Sequence, residues 1–316
     1  AQTWINGNKY QEAYAYAVKV SADGHYPLAS DYREIFLADN NTCKEIIWPL
    51  VQDGLRAQSS AGTNFYVKAF VNGPMDELYK TGVGSRGWGN VRAKVSLVDA
   101  FDADDVMFDG NDTWGNNKKD KRAQFMTALP NQVKDTWDVN MDMTSTFTCG
   151  YGYIKWRNVT KEDELCPSGD AYTSIDFPLF RTADAYLMAA EAILRGANGT
   201  QSEALGYVNE VRTRAYMSGK YAKNGVRSDV SGEITANELN LDFLLVERQK
   251  ELASELTRRT DLIRFGKYTK GNNWDWKNGV RLGADVDDKY NLFPIPESEL
   301  TNNPTLVQND GYKVIK

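Results

Sequence analysis

The 316-residue chain has a single histidine, His25, and only three cysteines, Cys43, Cys149 and Cys166. One imidazole cannot build a multi-histidine metal centre, and it sits in "ADGHYPL", which reads as a turn after a helix and not as a corner of a Ser-His-Asp relay. Without CxxC spacing the cysteines form no zinc or thioredoxin-like motif; two inert thiols and a Cys149–Cys166 disulfide are both left open. No run approaches the ~20 apolar residues that a membrane-spanning helix requires. Cations are outnumbered, 37 Lys and Arg against 43 Asp and Glu, for a formal charge of −6. No stripe of Lys and Arg gathers the field that a phosphate backbone needs, so nucleic acid is not an expected partner. The acid-rich "FDADDVMFDGNDTW" lacks the spacing of a twelve-residue calcium loop, because Asp102, Asp104 and Asp109 are not followed by the closing glutamate. Neither metal nor cofactor is expected.

What the chain does have is core material, 41% hydrophobic and 12% aromatic, enough for one large domain or two ordinary ones. Its pattern changes along the length. "YQEAYAYAVKVSAD" carries apolar residues at helical spacing and stops at Gly24 and Pro27, which makes 10–23 an amphipathic helix needing partners elsewhere. Residues 26–176 alternate short apolar runs such as "EIIWPL" with Gly, Asn, Asp and Trp clusters, the signature of long loops with a few short elements. From Phe177 helical periodicity returns. "TADAYLMAAEAILRGANG" has Thr182 as N-cap, Gly196 or Gly199 as stop, and apolar residues on nearly every face, so it is expected to be buried all round. "QSEALGYVNEVRTRAY" follows after a short link and completes a helical hairpin of tetratricopeptide kind. A third helix is expected over 236–260, and the prolines of "NLFPIPESELTNNPTLVQNDGY" turn the tail into an extended strap lying on the body. The fold class is mainly α, a tetratricopeptide-like scaffold with a large loop-rich region. Three stretches follow: 1–25 as the remnant of a helical scaffold, 26–176 as a loop-rich ligand-binding region, and 177–316 as helices and tail.

The third helix poses the sharpest question. "ERQKELASELTRRTDLIRFG" mixes four acids with five cations. Counting from Leu241, the apolar stripe runs through Leu244, Leu245, Leu252 and Leu256, yet Arg248, Glu255 and Arg259 fall on the same face. Charges there are tolerable only when paired. Glu255 to Arg259 is the favourable i to i+4 order, Glu251 borders the face, and Asp184 and Glu191 on the preceding buried helix are expected to meet Arg248 and Arg259. Structural ion pairs are thus expected from Arg248, Glu251, Glu255, Arg259, Asp184 and Glu191. The rival is a glycosidase-type pair of catalytic carboxylates, which adjacent arginines disfavour by lowering both pKa values.

Four ordered blocks, "FRTADAYLMAAEAILR", "ALGYVNEVRTRA", "LLVERQKELASELTRRTDLIRFG" and "LFPIPESELTNNPTLVQNDGY", resemble the C-terminal half of the SusD/RagB outer-membrane lipoproteins of Bacteroidetes. The run from Tyr10 to "EIIWPL" is similar to the family's central segment. The resemblance implies a SusD-like fold and a cell-surface protein that binds glycans, or less often peptides, and passes them without catalysis to a SusC-like TonB-dependent transporter. It also implies that Ala1 lies partway along the scaffold, with a lipidated cysteine, the expected membrane attachment, upstream of it.

Sugar rings stack their C–H faces on Trp and Tyr while their hydroxyls engage short polar side chains and Arg at the rim. "YKTGVGSRGWGN" supplies that combination: Trp88 between glycines, with Arg86 and Asn90 beside it. Tyr66 and Tyr79 are expected to extend the surface, and Trp114, Trp274 and Trp276 are further loop aromatics. The alternative for Trp88 is a packing anchor in the scaffold. Two other functions stand beside glycan capture: a glycoside hydrolase using paired carboxylates, and a peptide-binding partner of the transporter.

Overall fold

Alanine at successive turns lets helices approach closely, and the scaffold is built where alanines gather. In the computed structural model, which describes residues 1–56, 58, 62–71, 76–77, 79–106, 118–126, 150–217 and 230–313, α1 (Gln2–Asn6) and α2 (Tyr10–Asp23) come first. Gly24, at φ 67°, ends α2 in the left-handed conformation that costs glycine least. Among its described residues the loop-rich stretch holds, besides short 3-10 turns, β1 (Ile46–Leu50), α3 (Thr63–Lys68), α4 (Val95–Val98), α5 (Ala103–Val106), β2 (Phe125–Met126) and β3 (Gly152–Tyr153). Then β4 (Phe177–Arg181) runs directly into α6 (Thr182–Leu194), followed by α7 (Gln201–Met217), α8 (Leu241–Glu251), α9 (Arg258–Arg264) and α10 (Glu297–Asn302). None of the helices among the described residues is long and apolar enough to cross a membrane.

Every residue of α6 from Thr182 to Ile193 is buried, because helices pack on several sides of it. Ala13 and Ala17 of α2 meet Met188, Ala189 and Ala192 on one side. Val208 and Val211 of α7 and Leu244 of α8 close over Leu187 and Ala190 on another. Thr182 is not the N-cap expected from sequence. Arg181 occupies that position with extended dihedrals, and Thr182 Oγ1 donates to Tyr26 O at 2.7 Å, stitching the helix start to the turn after α2.

A second core fills the loop-rich stretch around Trp156, whose ring lies 4.9 Å from Phe36, 5.3 Å from Tyr66 and 5.5 Å from Phe177. β1 and β4 pair antiparallel with Ile46 opposite Arg181 and Pro49 opposite Pro178. A two-stranded ladder has an open side to which each proline can turn its missing donor. β2 and β3 pair Phe125 with Tyr153.

The single helix expected over 236–260 is two. α8 ends at Glu251 and α9 begins at Arg258, with Ser254 (φ 61°) and Leu256 (φ 62°) in left-handed conformations between them. The carbonyls released from the helical ladder have other donors: Glu251 O accepts from Arg181 Nη2 at 2.8 Å and Tyr32 Oη at 3.1 Å, and Ala253 O from Lys155 Nζ at 2.7 Å. The break turns Leu256, expected in the buried stripe, out to 75% exposure.

The chain divides into two compact units, Ala1–Leu256 and Thr257–Lys316, so the first helices, the loop-rich stretch and α6 to α8 belong to one unit. Within the second unit the tail is tied to itself. Ile295 and Gln308 exchange two hydrogen bonds, at 2.8 and 2.9 Å, and Tyr312 Oη donates to Leu292 O at 2.8 Å.

Candidate functional site

The charges of α8 lead inward. Glu251 Oε1 accepts from Arg181 Nη1 at 2.7 Å and from Arg214 Nη2, while its Oε2 accepts from Arg122 Nη1 at 3.1 Å. Glu255 is gripped by Arg181 Nε and Nη2, at 2.7 and 2.8 Å, and by Lys155 Nζ. Glu247 bridges Arg122 and Arg212, each at 2.6 Å. Glu45, just before β1, bridges Arg181 at 2.8 Å and Arg214 at 2.7 Å, and Asp120 takes the other edge of Arg122. All of these side chains are buried, and Glu45, Asp120, Glu247, Glu251 and Glu255 balance Arg122, Lys155, Arg181, Arg212 and Arg214 one for one.

Burial alone would push the Glu251 carboxyl up, but Arg214, Arg181 and Arg122 outweigh it and hold it well below the usual carboxylate range. Against the same burial, Arg181 and Lys155 keep Glu255 low. Lys155 itself falls to about 8, by burial first and then by the neighbouring Arg181, with Glu255 opposing. The network holds ionised carboxylates, the opposite of what a general acid needs.

Of the pairs expected from sequence, the structure brings together Arg248 and Asp184 at 2.9 Å. Glu191 takes Arg195, one turn on, at 2.9 Å. Glu255 turns to Arg181 and Lys155 instead of Arg259, because the break after α8 destroys the i to i+4 spacing. Arg259 belongs to the second unit, where its Nη2 donates to Tyr290 O and Asn291 O and its guanidinium stacks 4.2 Å from the Phe293 ring centre. Sequence reasoning missed Glu45, Arg122, Lys155, Arg181, Arg212 and Arg214. The signal for two of them was a cation inside an apolar run, as in "FPLFRTADAYL" and "YIKW".

The expected ligand residues separate into surface and core. Trp88 is 38% exposed and its ring lies 6.3 Å from that of Phe65, itself 45% exposed, at 59° between planes. The loop beneath is fixed to the end of α3: Trp88 N donates to Lys68 O at 2.8 Å, and Asn90 N and Val91 N donate to Ala69 O at 3.0 and 2.9 Å. Arg86 and Asn90 are exposed beside it, and Arg86 Nε meets Asp170 Oδ1 at 3.0 Å. Lys68 Nζ donates to Ala171 O; burial first, then the Arg86 charge, lowers its pKa, with Asp170 opposing. Tyr79 is not on this surface. It is 4% exposed, packed into the Trp156 core, and its carbonyl accepts from Arg157. Tyr66 is half-buried, stacked on Trp156 and tilted against Phe177. Phe65 was missed because neighbours on a helix point about 100° apart and only one of two adjacent aromatics can face the core. Trp114 lies outside the described residues, as do Asp109 and Cys149. Cys166 is a free thiol whose Sγ lies 3.0 Å from Ser168 Oγ.

A profile described as the SusD family matches residues 44–312. The chain belongs to the SusD family. It is 32% identical to the starch-binding protein SusD of Bacteroides thetaiotaomicron over 343 aligned residues, covering 99% of this chain and 58% of that protein. SusD-like protein P25 of Formosa agariphila is 34% identical, with 98% of this chain and 56% of the relative covered. The chain therefore spans somewhat over half the length of these relatives. Among solved structures, a SusD-like protein from Bacteroides fragilis superposes with a TM-score of 0.66 at 20% identity, over 98% of this chain and 63% of that one. Surface glycan-binding protein A from Bacteroides thetaiotaomicron, in complex with laminarihexaose, gives 0.61 at 20% identity over 97% and 61%. The mainly helical architecture is thus the SusD fold.

Proposed function

We propose that this SusD-family chain belongs to a lipid-anchored cell-surface protein that captures oligosaccharides on the Trp88–Phe65 surface and delivers them, without catalysis, to a SusC-like TonB-dependent transporter. One observation carries the reading: two exposed aromatic rings, Phe65 on α3 and Trp88 on the loop that backbone hydrogen bonds fix to the end of α3, lie side by side, flanked by an ion pair and an exposed asparagine. Loop-borne aromatics on a rigid base present a sugar-stacking face at low ordering cost. The relatives' names, starch-binding and surface glycan-binding, support the same ligand class.

The hydrolase reading has less support. Glu247, Glu251 and Glu255 are buried and clamped by cations. Glu34, Asp39 and Glu45 border an open cavity of about 320 Å³, but Glu45 is held by Arg181, Arg214 and the amide of Ala29. Calorimetric titration with maltooligosaccharides and laminarioligosaccharides tests the proposal. Trp88→Ala and Phe65→Ala are each expected to weaken binding by about tenfold or more, as buried aromatic anchors do in other interfaces. Unchanged affinity in both variants sinks the site. New reducing ends in the mixtures would restore the hydrolase, and binding to a peptide panel with none to sugars would favour the peptide-binding role.

A further inference from the structure

The guanidinium of Arg86 is half engaged. Its Nε donates to Asp170 Oδ1, and among the described residues neither Nη group has a protein partner, while the side chain stays 58% exposed. Asp170 therefore orients the planar fork and leaves its outer edge open. Arg86 stands two positions before Trp88, and both border the same face of α3. Trp88 packs by Phe65, Arg86 pairs with Asp170, the neighbour of Ala171 whose carbonyl accepts from Lys68 Nζ, and Phe65 and Lys68, three apart on the helix, are neighbours on its surface.

The loop itself is cationic. From Tyr79 to Val98 there are Lys80, Arg86, Arg92 and Lys94 and no acid, in a chain whose formal charge is −6. Arg92 Nη1 lies 2.7 Å from Gly89 O, beside Trp88. Two carboxylates from outside this stretch face it, Asp76 on the amides of Val83 and Gly84 and Asp170 on Arg86, so the cations outnumber the acids there, and such a local excess favours anions.

We infer that the Trp88 surface takes sugars bearing an oxyanion, a uronate carboxylate or a sulfate ester, seated on the open Nη edge of Arg86 while the pyranose ring stacks on Trp88. This rests on the glycan-binding reading above. Two parallel N–H···O bonds from a guanidinium suit either anion, and a fork already oriented by Asp170 loses little freedom on binding. A neutral ring gains the stacking and single hydroxyl contacts only.

Calorimetry on the full chain separates the two ideas. The ligands are an oligogalacturonate, a sulfated galactan oligosaccharide and a neutral maltooligosaccharide, at low and high ionic strength. At least one anionic ligand is expected to bind about tenfold or more tightly than the neutral one and to weaken with salt. Whichever is preferred identifies the anion. Arg86→Gln should abolish that preference, bringing the anionic ligand down to the affinity of the neutral one, and Arg86→Lys should restore it only in part, because an ammonium keeps the charge and loses the fork. Equal affinity for all three, or a preference that survives Arg86→Gln, overturns the inference. If Trp88→Ala then still abolishes neutral binding, the stacking site stands. Absence of binding to every ligand by the unaltered chain brings down both. Arg86 is exposed, so unfolding is not the expected cause of any loss, and thermal denaturation of each variant checks it.

Discussion

Arg181 touches three carboxylates, those of Glu45, Glu251 and Glu255, and also accepts the work of capping the carbonyl of Glu251. Its replacement by methionine would strand buried negative charge, and Arg181→Met is expected to lower stability by roughly 3–5 kcal/mol, read as the shift of a urea denaturation midpoint. Lys155→Met should cost much less. Glu255 keeps both of its Arg181 bonds, and the removed ammonium is one that burial already disfavours. A loss as large as that of Arg181→Met would contradict this division of labour. At this scale the sequence disclosed that Arg248 and Glu255 fell among leucines and needed partners, although Glu255 lies in the break after α8 and not on the helical face expected. It did not disclose Arg181 as the centre, because the bond to Glu255 spans 74 residues and no local spacing records it.

Among the elements, the break after α8 is the departure that matters most. A helix-length pattern with good helix formers would continue through Ser254 and Leu256, yet both residues are left-handed, since the carbonyls they release serve Arg181, Tyr32 and Lys155. Leu256 combines that costly backbone with 75% exposure. Leu256→Asn is accordingly expected to leave stability unchanged or raise it by up to about 1 kcal/mol, because asparagine tolerates this conformation and no burial is lost. A fall in the thermal midpoint would show that Leu256 makes a contact its exposure conceals. The Trp88 loop depends on the reverse case. At Gly82, φ 78°, an added Cβ would stand 2.5 Å from the backbone oxygen of Asn158, which itself ties strand-like residues 157–159 to this loop. Gly82→Ala should destabilise the chain by roughly 1–3 kcal/mol and weaken sugar binding together, because Arg86 and Trp88 ride on the displaced segment.

For the whole molecule, the internal ion network makes stability a function of pH with a sign that can be stated. Glu251, Glu255 and Asp120 have folded-state pKa values below their ordinary ones, so the unfolded chain binds protons first on acidification. Their contribution is fully present above the ordinary glutamate value of 4.5 and is lost as pH falls below it towards the depressed values. Lys155 acts in the other window. Its value is lowered from 10.5 to about 8, so between these limits the unfolded chain holds the proton more tightly and stability from this group rises with pH. Denaturation midpoints measured from pH 3 upward should show the acid limb in the unaltered chain, and the alkaline rise should be smaller in Lys155→Met, the remainder coming from Lys68, Lys250 and Lys277, whose values burial also lowers. The sequence by itself determined the helical class, the buried character of α6, the loop-borne Trp88 and the need for ion pairs on α8, since periodicity and composition are local properties of the chain. Only the tertiary structure decided which cations serve which acids, that Tyr79 and Tyr66 turn inward while Phe65 turns out, and that Asp170 orients Arg86. Those choices depend on which distant segments come to lie within hydrogen-bonding or packing distance, and no spacing along the chain encodes that.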